Sequence, residues 1–152
     1  MQSRFVGVAH QKNLLILRGD LEDSRTWKDL LVHLDEAGVP GKQVHLSRVS
    51  EGSTRLSMVI DPETLADSEG LQTRLKNQIP PDTQIQNALS AISLIGSGIN
   101  DTHANVRKGL EVLSNLGIQP HGVTTSSFRI TYLVSRDRLE ETVQELHRAF
   151  IE

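Results

Sequence analysis

The chain has 152 residues, 37% of them hydrophobic, and its 16 Lys and Arg against 19 Asp and Glu leave a net charge of -3. That length allows one ordinary domain or two small ones sharing a core. Scattered basic residues and only three Phe, one Tyr and one Trp exclude a nucleic-acid surface, and the lack of cysteine excludes disulfides, a thiol nucleophile and thiolate metal sites.

The start, MQSRFVGVAHQKN, lacks the basic-then-apolar layout of a signal peptide, and no apolar run approaches the roughly eighteen residues that span a bilayer. A cytoplasmic protein with no membrane partner is expected. Arg4 to His10 reads as a strand, a polar break follows at Gln11 to Asn13, and Leu14 to Leu17 forms a second strand closed by Gly19. A helix is predicted from Ser24 to Ala37, with Trp27, Leu30, Leu31 and Leu34 on its buried face, Asp23 or Ser24 as cap, and Gly38 past its end. Val44 to Val49 and Thr54 to Ile60 read as a hairpin around Glu51-Gly52-Ser53. Asp61-Pro62-Glu63 opens a helix carrying Leu65, Leu71 and Leu75, which Pro80-Pro81 stops, and Asp82 to Leu89 is a weaker strand.

The most informative stretch is Ala91 to Ser135. It predicts a strand with Ile92, Leu94 and Ile95, a tight Gly96-Ser97-Gly98 turn, and a helix from Thr102 to Leu116 with Val106, Leu110, Leu113 and Leu116 on one face. Asp101 or Thr102 is the expected cap and Gly117 the terminating residue. Phe128, Ile130, Tyr132 and Val134 then alternate with Arg129, Thr131 and Leu133 as in a half-buried strand. A capping box from Asp137 to Glu140 starts a last helix, with Leu139, Val143, Leu146 and Phe150 on one face.

The chain repeats itself. Shifted by 79 positions, Leu15-Ile16 falls on Leu94-Ile95, Gly19 on Gly98, Trp27 on Val106, Leu31 on Leu110 and Leu34 on Leu113; past the hairpin the shift is 74, placing Leu56 to Val59 on Ile130 to Leu133. Each copy runs strand, helix, strand, strand, helix, one strand short of the ferredoxin-like split unit. The first copy is completed by Asp82 to Leu89, and the second lacks a strand that Arg4 to His10 alone supplies. The expected fold is therefore α+β, two βαββαβ units with the first (14–89) inserted within the second (4–10 plus 91–152).

Gly96-Ser97-Gly98 lies between strand and helix, but Asp101 stands where a dinucleotide fingerprint needs its third glycine. The turn suits a small carboxylate at a helix start, or it is a tight turn and nothing more. Glu22 and Asp23 in the first copy, and Asn100 and Asp101 in the second, can receive an ammonium, against ordinary capping as the alternative; capping is the favoured use of Asp101. The six histidines have no ligand spacing and no nucleophile elbow is present, so neither a metal nor a cofactor nor a catalytic site is expected.

These residues resemble the paired ACT domains at the regulatory end of aspartate kinases. ISLIGSGI is similar to that family's strand and glycine turn, VTTSSFRITYLV to its ISTSEIRISVLV stretch, and DRLEETVQELHRAF to its closing helix; VGVAH and VSEGSTRLSMVI match further segments. The chain departs from the family at Glu22 to Arg25, where Asp-x-Pro-Gly is usual, and at Ser47-Arg48, where a Gln-Asn pair is usual. It also departs at Arg55, His103, Ala104 and Ser127.

The resemblance implies a regulatory subunit or fragment without its own kinase half. It would bind an end-product amino acid, lysine or threonine, between ACT units of a homodimer and so inhibit a kinase catalytic domain or subunit. The effector site it implies is Glu22, Asp23, Ser24, Ser47 and Arg48 in the first unit, and Ser97, Ile99, Asn100, Asp101, Gln119 and Thr124 in the second. Arg48 and Arg55, if they face the first pocket, either fill it or turn it toward an acidic ligand. A ligand-free dimerisation scaffold and a stand-alone amino-acid sensor are the other readings.

Overall fold

Two long strands carry the architecture: β1 (Arg4–Leu21) and β4 (Gln84–Ser97). The computed structural model describes residues 3–21, 24–41, 43–64, 69, 70, 73, 77 and 83–152. The chain divides into two compact units, Asn13–Asn87 and Met1–Lys12 with Ala88–Glu152, called here the first and second. Both strands pass from one unit to the other. This corrects the two short strands expected on either side of Gln11–Asn13, and likewise the separate strands expected around residue 90. Polar side chains interrupt a hydrophobic pattern but not a hydrogen-bond ladder: Gln11 and Lys12 are exposed, and the Ser90 hydroxyl donates to the Lys12 carbonyl at 2.6 Å.

In the first unit the strand order is β2 (Val44–Ser50), β3 (Ser53–Ile60), β1, β4. β3 pairs antiparallel with both neighbours, Leu17 facing Met58 and Leu46 facing Leu56. Helix α1 (Ser24–Glu36) covers this sheet with Trp27, Leu30 and Leu34, which bury with Leu15, Leu17, Leu56, Met58 and Ile60. It ends as expected at Gly38, whose φ of 76° lets Val39 N–H reach the Leu34 carbonyl at 2.9 Å. After β3, Asp61 accepts from the Glu63 amide at 3.0 Å and opens a short 3-10 turn, Pro62–Thr64. Leu65, Leu71, Leu75, Pro80, Pro81 and Asp82 lie outside the described residues; Glu69, Gly70, Thr73 and Asn77 are helical.

The second unit repeats the plan with order β5 (Gly122–Ser126), β6 (Arg129–Ser135), β4, β1. Helices α2 (Ala104–Asn115) and α3 (Leu139–Phe150) close a core of Ile92, Leu94, Ile99, Leu113, Ile130, Tyr132, Val134, Leu139 and Leu146. Gly117 terminates α2 as Gly38 does α1, with Ile118 N–H on the Leu113 carbonyl at 2.8 Å. The two helices finish each other's ends. Arg138 donates to the Leu116 carbonyl at 2.8 Å, and Lys108 donates to the Ala149 carbonyl at 2.7 Å while lying 4.7 Å from the Phe150 ring centre. Phe5 of β1 packs on that same ring, 4.9 Å between centroids.

Five local expectations are corrected here. Helix α2 begins at Ala104, and Asp101 is exposed and does not cap it. Its N-cap is His103, which makes no side-chain cap bond, and Thr102 Oγ1 accepts only from the Ala104 amide at 3.3 Å. Leu110 is exposed because Gly109, not Leu110, faces β6: a methyl group at 109 would overlap the Tyr132 hydroxyl. Phe128 sits in the hairpin turn at 65% exposure, so the strand starts one residue later. On β6 only Arg129 of the expected solvent face is exposed; Thr131 and Leu133 are buried, and Thr131 shares a 2.8 Å hydrogen bond with Ser93. In place of the capping box, a 3-10 turn Arg136–Arg138 leads into α3, and Arg138 pairs with Glu141. The architecture is α+β with antiparallel sheet.

Candidate functional site

In the second unit, Ser97 ends β4 exposed, and the chain turns through Gly98, whose φ is 66°, before α2 begins. Ile99 is fully buried in the core, which anchors the turn and removes that side chain from contact with any ligand. Asn100 is a clamp: its Nδ2 donates to the Ser126 carbonyl at 2.5 Å and to the Arg129 carbonyl at 3.1 Å, while its Oδ1 is buried without a partner. The Gly96 amide adds a bond to the Phe128 carbonyl at 3.0 Å, so turn and hairpin tip move as one piece.

Two residues not singled out from the sequence complete the turn. Asn105 Nδ2 donates to the Ile99 carbonyl at 3.0 Å and to Ser3 Oγ at 3.1 Å, and Ser3 Oγ donates to the Gly98 carbonyl at 3.3 Å. The signal for Asn105, a second amide side chain at the helix start beyond Asn100, was present in the sequence. That Ser3 would join it was not, because the contact spans 102 positions.

Gly96 has a packing role, since a Cβ there would collide with the Arg4 carbonyl of β1 and with Ile99. The turn's glycines are thus explained without a nucleotide. What the turn presents is a helix start whose N-cap residue makes no side-chain cap bond, flanked by exposed Ser97 and Asp101 and by the half-buried Asn100 amide. Such a group can hold a small zwitterion by its two ends. Thr124 and Gln119 are not brought to it. Thr124 pairs with Thr131 and so shares the sheet face away from α2, and Gln119 follows the far end of that helix, about 18 Å along its axis.

In the first unit, Glu22 and Asp23 lie outside the described residues, and Ser24 is the first residue of α1. Ser47 and Arg48 are neighbours on edge strand β2 and point to opposite faces. Arg48 pairs with Thr54, which shares the side of β3 that Leu56 and Met58 turn to the core, and so lies on the face that α1 covers. Ser47 pairs with Arg55, which pairs in turn with Asp20. Arg55 does not face the helix start. It forms a two-pronged ion pair with Asp20 at 2.8 and 3.1 Å on the opposite face, which holds the Asp20 carboxyl below the usual carboxylate range and raises the guanidinium. Among the described residues no three His, Asp or Glu cluster to hold a metal ion, and no helix is long and apolar enough to cross a membrane.

No family model matches the chain. The fold is similar over almost the full length to that of solved regulatory portions of aspartate kinases. The regulatory subunit of aspartate kinase from Thermus thermophilus, solved ligand-free, superposes with a TM-score of 0.77, covering 96% of this chain and 98% of that one at 15% identity. The aspartate kinase of Clostridium acetobutylicum gives 0.77 over 97% of this chain and 35% of its own, at 19% identity. In sequence, the aspartokinase of Bacillus sp. (strain MGA3) is 28% identical over 99 residues, and that of Geobacillus stearothermophilus is 28% identical over 89. The matched segments span 64% and 59% of this chain but only 24% and 20% of those enzymes.

Proposed function

We propose that this chain is the regulatory, amino-acid-binding module of an aspartate kinase, made of two ACT units with the first inserted in the second, and that lysine or threonine is its effector. The observation that carries the reading is the end-to-end likeness to an aspartate kinase regulatory subunit, 96% of one chain on 98% of the other. The start of α2, whose N-cap residue His103 makes no side-chain cap bond, supports it as a place for the effector carboxylate, with exposed Asp101 beside it for the ammonium. Gln119 and Thr124, which stand away from that turn, would belong to the site a second copy completes. Inhibition would follow from unequal affinity for two arrangements of a homodimer joined to a kinase catalytic domain or subunit, since a ligand binding both equally shifts nothing.

Thermal unfolding with millimolar lysine, threonine, methionine and other free amino acids, with oligomeric state recorded in parallel, tests this. An effector at a hundred times its Kd adds about 2.7 kcal/mol, raising Tm by roughly 5–10 °C for a chain this size. One observation favours the second reading, a ligand-free assembly scaffold: edge strand β2 leaves Val44, Leu46 and Val49 exposed, Leu46 at 48%. A stable dimer that no amino acid stabilises would decide for the scaffold.

A further inference from the structure

Ala88 has a φ of 58°, the one non-glycine residue in the left-handed region among the described residues. A Cβ disfavours that conformation. Ala88 is exposed, so no burial of its methyl group offsets the backbone cost. It lies within β4 at a particular place: Asn87 is the last residue of the first unit and Ala88 begins the second unit's main stretch. Three residues earlier Ile85 packs on the first core, and four and six residues later Ile92 and Leu94 lie in the second. The strand thus contributes side chains to both cores, and Ala88 lies between those contributions.

The conformation is imposed from outside. Leu89 and Ser90 are held opposite Ser135 and Val134 of β6, and Ser90 is tied to Lys12 by its hydroxyl. We propose that Ala88 is a strained pivot built into β4: the native pairing of Leu89 and Ser90 keeps it left-handed, and loosening that pairing lets it relax. Opening β4 at Ala88 therefore costs less than in an unstrained strand. The device stands whether or not the chain binds an amino acid.

Hydrogen exchange of the intact chain, resolved over residues 84–92, separates strain from simple flexibility because the two give opposite signs. Ala88→Gly removes the Cβ penalty and Ala88→Asn tolerates left-handed backbone. Both should slow exchange across the segment several-fold and raise Tm by about 2–4 °C. Ala88→Val, β-branched, should speed exchange and lower Tm. If position 88 is flexible rather than strained, Ala88→Gly speeds exchange and lowers Tm through its larger unfolded-state entropy. That outcome, or an Ala88→Val chain indistinguishable from the parent, overturns the proposal, and the glycine and asparagine chains decide it even if the valine chain does not fold.

Discussion

The two units fasten a helix to a sheet by opposite means. In the first, the large aromatic is on the helix: Trp27 of α1 is buried and its Nε1 donates to the Thr54 carbonyl of β3. In the second it is on the strand: Tyr132 of β6 is buried and its hydroxyl donates to the Val106 carbonyl of α2 at 3.0 Å. Val106 is the repeat counterpart of Trp27, and Met58 that of Tyr132. The exchange is completed one turn on, where Leu30 of α1 corresponds to Gly109 of α2, the glycine that makes room for the tyrosine. Burial pushes the Tyr132 hydroxyl up to about 12, so it stays a donor throughout the physiological range. Repeated folds conserve the volume between helix and sheet more closely than they conserve which side supplies it.

The largest test of this is Trp27→Ala, expected to cost about 3–5 kcal/mol, while Val106→Ala at the matched position costs about 1 kcal/mol. Urea midpoints of the two chains check the asymmetry; equal losses would break the comparison. Next, Gly109→Leu drives a side chain into Tyr132 and should cost about 3 kcal/mol or more. Adding Tyr132→Met transplants the first unit's solution and should recover at least half, so a double-mutant cycle with no coupling would count against the exchange of volumes.

The smallest effect concerns charge. Asp20 in the first unit and Glu141 in the second are each held below the usual carboxylate range by an arginine hydrogen bond, from Arg55 and Arg138. A depressed folded value means that the contribution is present above the unfolded pKa, near 4, and is lost as pH falls through the folded value. Both sites are exposed, so the contribution is small. Asp20→Asn should lower Tm slightly at pH 7, with the gap to the parent closing below about pH 4; a gap independent of pH would mean that the pair acts through something other than charge.

Much of this was legible in the sequence, and the misses share a cause. Trp27, Leu34 and Leu113 are core because a 3.6-residue period fixes a helix face, and Gly38 and Gly117 end helices because local bonds require a left-handed residue there. The continuity of β1 through Gln11–Asn13, the use of Gly109 in place of Leu110, and the burial of Thr131 all depend on partners far away in sequence, which no local pattern carries. The site divides the same way. Ser97, Asn100 and Asp101 are neighbours in sequence and in space, whereas the bridge from Asn100 to Ser126 and the tether from Ser3 to Asn105 needed the fold. The capping role read for Asp101 failed because the chain keeps turning for two more residues before α2 begins.

The hydroxyl pair between Ser93 and Thr131 has a bearing on folding fidelity. It lies among Leu89, Ala91 and Leu133, on a buried sheet face that a slid strand of apolar residues would fill almost as well. Apolar contact is tolerant of such a slide, but a hydrogen bond between two short side chains is not. A displacement of β4 against β6 separates the oxygens and buries each alone, at about 1–3 kcal/mol apiece. The pair works as a key that only one alignment of the two strands can turn, so a misaligned pairing of β4 with β6 is penalised where apolar contact alone would tolerate it.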